Sequence, residues 1–195
     1  MKKYLLFIMA LCSITLVGCN GSTDSSSNQG GVSQGTQQEV NTPVQQEDVT
    51  TTFDKFGFSV RTPCALEDVS AQVHGHFEAN YGGMINEDDP ENMTAYQVAV
   101  IKLPIGVEDY PKEEIDNIVD QKISEMMSNF NNVEKVLFSD EEYPGYVGDT
   151  NSNGVNQRGV IFKKDRYIIT LTVLTNSDME HKFNKFTNSF KVLDK

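Results

Sequence analysis

Tyr167-Ile168-Ile169-Thr170-Leu171-Thr172-Val173-Leu174 is the stretch whose reading decides the fold. It is apolar at odd and even positions alike, which suits a strand covered on both faces. A polar turn at Lys164-Asp165 separates it from Val155 to Lys163, a second strand-like run. That run follows Asn153-Gly154, a strong two-residue hairpin signal, and Tyr146 to Asp149 lies on the far side of the turn. Three runs joined by tight turns predict an antiparallel meander. Upstream, Pro144-Gly145 reads as a turn, and Val133 to Phe138 reads as a further strand. Tyr96 to Leu103 is apolar on both faces, which predicts another central strand.

Between these strands the period changes from two to about 3.6. Ile115, Ile118, Val119, Ile123, Met126, Met127 and Phe130 recur at spacings of three and four, one stripe of an amphipathic helix. Pro111 suits the first helical position, and Glu113 and Glu114 suit the first turn. After Leu174, Ser177 with Glu180 reads as a capping box, and Met179, Phe183 and Phe186 line a second helix. Nearer the start, Phe56 to Arg61 alternates as a strand stopped by Pro63, and Val69 to Tyr81 reads as the next strand. Strands, helix, strands, helix predict an α+β fold, a mostly antiparallel sheet with helices packed on its faces.

The rest of the chain is not of this kind. Lys2 and Lys3 precede an apolar run from Tyr4 to Val17, too short to span a bilayer comfortably. The run ends in Leu16-Val17-Gly18-Cys19, which resembles the lipobox of bacterial lipoproteins. That resemblance implies a signal peptide over residues 1–18 and an acylated Cys19 as the first mature residue. A plain secretory signal with a chance Cys is the alternative. Two or three acyl chains, palmitate-like, anchor stably where one does not. The implied partner is therefore the membrane itself, and the implied place is the cell envelope, facing the periplasm or the exterior. Residues 20–52 hold no aromatic residue and no Lys or Arg, and their charges are Asp24, Glu39, Glu47 and Asp48. Such a stretch cannot bury enough apolar area to offset its ordering entropy. Residues 19–52 are thus expected to form a lipidated tether and residues 53–195 a single domain.

Two stretches of that domain resemble the PsbP-like family. The first is Phe56-Gly57-Phe58-Ser59-Val60 followed by Pro63. The second is the hairpin Gly159 to Leu174 with the helix ending in Phe186-Thr187-Asn188-Ser189-Phe190-Lys191-Val192. The resemblance implies an α/β/α sandwich and an accessory or binding role without shared catalytic residues. It departs from the family where Cys64-Ala65-Leu66 stands in place of a Trp that members often carry.

Charge narrows the function further. Sixteen Lys+Arg against 28 Asp+Glu give a net charge of −12, the wrong sign for a nucleic-acid binder. The sharpest constellation is His74-Gly75-His76, which on a strand would place both imidazoles on one face. Two imidazoles can begin a Zn²⁺ or Ni²⁺ site, but a tight one takes three or four donors, and solvent-facing histidines explain the pair as well. Asp149 to Gly154 matches the first half of a Ca²⁺ loop, yet Val160 stands where the bidentate Glu must sit. Cys64, following a strand, reads as a packed thiol. Tyr81, Tyr143 and Tyr146 lie near Gly and Pro and are candidate contact residues. No cofactor is expected, and no catalytic set stands out. The expected function is a membrane-anchored envelope lipoprotein with a non-enzymatic binding or accessory domain, its protein partner unspecified. The alternative is a binder of a metal ion or small ligand.

Overall fold

A computed structural model describes residues 47–72, 77–89, 91–103, 110–139, 143–152 and 154–193. Strands β1 (Val49–Phe53), β2 (Phe58–Thr62) and β10 (Lys191–Val192) form a small sheet in the order β1-β2-β10. The large sheet has the order β3-β4-β5-β9-β8-β7-β6. Its strands are β3 (Glu67–Asp68), β4 (Ala79–Ile85), β5 (Thr94–Lys102), β6 (Asn131–Phe138), β7 (Tyr143–Ser152), β8 (Val155–Lys164) and β9 (Tyr167–Thr175). Every described pairing is antiparallel. Helix α1 (Lys112–Met127) lies between β5 and β6 in the chain, and α2 (Met179–Thr187) between β9 and β10. The α+β class read from the sequence is the observed one.

The route of the chain follows from the strand order. After β5 the chain passes through α1 and re-enters the sheet at its far edge as β6. Strands β6 to β9 then return pair by pair, until Thr94↔Thr175 through Lys102↔Tyr167 closes β9 onto β5. The two strands that read as apolar on both faces, β5 and β9, are thereby neighbours inside the sheet. Val98, Val100, Ile168, Ile169, Leu171 and Val173 are fully buried there.

Each face of the large sheet has its own cover. Phe58 and Val60 from the small sheet, Phe183 and Phe186 from α2, and Phe190 between α2 and β10 pack on Tyr96, Val98, Phe162, Ile169 and Leu171. On the opposite face α1 places Val119, Ile123, Met126 and Met127 against Leu103, Ile161 and Ile168. Of the stripe that the three- and four-residue spacing predicts, Ile115, Val119, Ile123, Met126, Met127 and Phe130 join this cluster, whereas Ile118 is half-buried outside it. Lys163 Nζ on β8 meets Asp116 Oδ1 on α1 at 2.7 Å and ties the helix to the sheet.

The stretches that carry the PsbP-like resemblance meet in space. Lys191 pairs with Ser59 and Val192 with Phe58. The rings of Phe58 and Phe190 stack at 5.3 Å. Ser189 Oγ accepts from Arg61 N–H at 2.8 Å and lies 2.6 Å from the Phe186 carbonyl. Gly57 sits at φ 69°, the left-handed conformation that ends the 3-10 turn Asp54–Phe56 and that glycine adopts without strain. The ammonium of buried Lys164 donates to the Phe56 carbonyl at 3.2 Å, so the turn is fastened to the end of β8.

Four local expectations are corrected. The tether was expected to reach Thr52, but β1 begins at Val49 and pairs with β2 from Val49↔Thr62 onward. Three consecutive threonines are β-branched and favour a strand once a partner edge exists. The strand expected over Val69 to Tyr81 is instead a 3-10 turn at Ser70–Gln72 followed by β4 from Ala79. Pro144-Gly145 is not a turn but the start of β7. The β7–β8 ladder begins at Gly145, so the missing N–H of Pro144 leaves that ladder intact. Ser177 and Glu180 make no capping box: Asp178 is the N-cap, at φ 49°, with no side-chain cap.

Candidate functional site

The sequence candidates do not gather in one place. Cys19, His74 and His76 lie outside the described residues. Tyr81, on β4, is half-buried and meets Phe53 edge-on at 5.0 Å. Tyr143, on β7, is half-buried beside Phe162 at 5.9 Å and Phe190 at 6.2 Å. Tyr146 is three residues further along β7, so its ring takes the opposite face, where it joins the α1 cluster. Lys135 Nζ lies 5.7 Å from the centre of that ring. Cys64 is half-buried, and burial pushes its thiol up to about 11. A protonated thiol is a poor nucleophile.

A groove that the sequence did not announce opens between the start of the domain and β4. It encloses about 290 Å³. Phe53, Phe56 and Tyr81 form its apolar wall, and Asp54, Lys55, Asp68 and Glu78 its polar one. Phe53 stacks on Phe58 at 4.7 Å, so the wall is continuous with the core. Lys55 Nζ donates to Glu78 Oε1 at 2.6 Å across the groove. That hydrogen bond raises the lysine and lowers the carboxyl from their ordinary values. Both groups are solvent-exposed, so the pair adds little to stability. The Ser70 hydroxyl and amide hold the Asp68 carboxyl below its usual range. Asp54, Asp68 and Glu78 line the groove with Lys55, and the charges of Lys102 and Arg166 also reach the Glu78 carboxyl.

A second cluster also escaped the sequence. Lys182 Nζ lies 2.9 Å from Thr94 Oγ1, 3.1 Å from Thr175 Oγ1 and 2.8 Å from Ser177 Oγ. Burial lowers this lysine from its ordinary value, partly opposed by Asp178. Its three N–H donors meet three hydroxyls, which fastens α2 to the ends of β5 and β9. Ser177 stands one residue before the N-cap Asp178, where its hydroxyl accepts from this ammonium rather than from the first turn of α2. The only sequence signal was spacing: Ser177 and Lys182 are five residues apart, whereas Thr94 is brought in by β5–β9 pairing.

Among the described residues no group of three His, Cys, Asp or Glu side chains is placed to hold a metal ion. In the half-matched Ca²⁺ loop, Asp149 Oδ1 lies 3.6 Å from Arg158 Nε. Asn151 Oδ1 accepts from Gly154 N–H at 3.1 Å, so hairpin closure occupies that side chain. No described helix is long and apolar enough to cross a membrane.

No family model and no curated protein matches the chain. Among solved structures it is similar to cyanobacterial PsbP (CyanoP) from Synechocystis sp. PCC 6803, at 12% identity and a TM-score of 0.41, over 79% of this chain and 97% of that one. It is also similar to a protein of unknown function from Pseudomonas aeruginosa, at 10% identity and a TM-score of 0.35, over 69% of this chain and 87% of that one.

Proposed function

We propose that the chain is a cell-envelope lipoprotein, anchored through acylated Cys19, whose folded domain serves as a non-enzymatic binding or accessory module. The observation that carries the anchor is the ending Leu16-Val17-Gly18-Cys19 on a basic-then-apolar segment. The domain role is supported by the PsbP-like stretches, which pack on one another through Phe58, Ser189 and Phe190 and shape one complete side of the fold. The groove supports a second reading, a small-ligand binder, because a charged pair, Lys55 and Glu78, spans it beside an aromatic wall.

Two measurements test the proposal. Cys19→Ala should abolish labelling by a fatty-acid analogue and release the protein from the membrane fraction. Equal membrane retention of the variant would refute the anchor. The lipidated protein, cross-linked and purified from membranes in mild detergent, should recover an envelope protein that an unrelated lipoprotein on the same tether does not. Recovery of nothing specific would refute the accessory role. Saturable small-molecule binding lost in Glu78→Gln would then favour the second reading.

A further inference from the structure

The two edges of the large sheet are unequal. β3 offers two residues, whereas β6 offers eight, and no described strand lies on its outer side. Natural edges are kept short, bulged or charged so that other strands do not add to them. β6 has some of this protection: its pairing shifts register between Asn131 and Glu134, and it carries Lys135. Yet Val133 is 43% exposed and Leu137 58% exposed, on either side of Lys135 on one face. Leu137 stands opposite Pro144, also exposed, and Lys135 stands opposite Tyr146, whose ring lies beneath its ammonium. An edge built only to repel would not present an apolar-lysine-apolar row.

A second copy of the chain fits this row poorly. Two β6 strands pairing antiparallel across a two-fold axis keep their faces aligned, so opposed residues must share parity. The two registers with the longest overlap then set Lys135 against its own copy, or Glu134 against its own copy. Like charges directly opposite are destabilising. Sliding further relieves the clash but shortens the ladder. A net charge of −12 adds repulsion between copies.

The geometry points to β6 as a docking edge for an extended segment of another protein, paired antiparallel. Its side chains facing β6 would read apolar-x-acidic-x-apolar, the carboxylate opposite Lys135 and the apolar residues opposite Val133 and Leu137. The ladder supplies affinity without sequence preference, and the alternating side chains supply the choice. This rests on the binding role proposed above and names the surface and the chemistry of its partner.

The test uses the full-length lipidated protein in detergent and two labelled peptides, Thr-Val-Thr-Glu-Thr-Ile-Thr and the same peptide with Lys in place of Glu. The Glu peptide should bind ~10-fold tighter than the Lys peptide, because a cross-strand attraction becomes a repulsion. Lys135→Glu should reverse that order, and its exposed position leaves folding intact, as an unchanged thermal melt would show. Amide hydrogen exchange should slow along residues 132–138 when the Glu peptide binds. Equal binding of both peptides, no reversal in Lys135→Glu, or no protection on β6 would overturn the proposal. If the partner recovered from membranes is retained by Lys135→Glu, this edge is wrong and the accessory role stands. If no partner is recovered from wild type, that role fails first.

Discussion

On one face of the large sheet, Phe58, Phe138, Phe162 and Phe190 interlock at centroid distances of 4.4–5.3 Å. On the other, α1 lays Val119, Ile123, Met126 and Met127 on Ile161 and Ile168, and the same face buries Asn80, Gln97, Gln157 and Thr172. The aromatic face is made by the two ends of the domain and fits by shape. The α1 face is made by one local helix with adaptable methionines. Its polar members fit by direction: Gln97 Nε2 donates to Asn80 Oδ1 at 2.8 Å, and Gln97 stands opposite Thr172. A ring stack tolerates few volume changes but says little about register. A buried amide pair does the reverse, since a one-residue slip would separate the partners. The two faces thus divide the work, one holding the larger apolar cluster and the other fixing strand alignment.

The comparison is most easily broken from the aromatic side. Phe58 is fully buried at the junction of both sheets, and Phe58→Ala should cost ~3–5 kcal/mol in denaturant unfolding. Ile123→Ala on α1 should cost less, ~2–3 kcal/mol, because Met126 and Met127 can move into the space left. Equal losses would mean that the α1 face is packed as tightly as the aromatic one.

A smaller effect separates the faces by pH. Cys64 packs against the aromatic side, and burial raises its thiol from 9.0 to about 11. In the unfolded chain the thiol ionises first, so between those values the folded state holds more protons and stability must fall as pH rises. Wild type should lose stability across pH 9–11 relative to Cys64→Ala, whereas below pH 8 the difference between the two should stay constant. A flat difference across that window would place the thiol in water. Smallest of all is the docking edge: Leu137→Ser should shift stability by less than ~0.5 kcal/mol, as exposed positions do. A larger loss would make Leu137 part of the core and not of a surface.

What could be read in advance follows the same division. β5, β8, β9 and α1 were legible because each is long and its period is carried by its own residues. The α1 stripe needed no knowledge of its partners. The corrections fall where the outcome depends on something distant. Thr50, Thr51 and Thr52 read as tether until β2 supplies an edge. Pro144 reads as a turn until its place outside the β8 ladder is known. Ser177 reads as a cap until Asp178 takes that position and Lys182 donates to the Ser177 hydroxyl. The groove was illegible for the same reason. Lys55 and Glu78 are 23 residues apart, and no periodicity links a 3-10 turn to the residue before a strand. Tyr81, Tyr143 and Tyr146 stand near Gly and Pro in the sequence, but that signal does not reveal which face a ring takes.

Ser59 waits for Lys191, and Phe58 for Phe190 and Val192. The pairing of β10 with β2 therefore waits on residues 191 and 192, whatever β1 and the meander have already achieved. A chain made from its first residue onward keeps its most aromatic surface open longest. Such a surface is prone to aggregation while it is uncovered. Loss of residues 188–193 would leave a domain that can begin to fold but never lock, because Phe190 and β10 would be missing from β2.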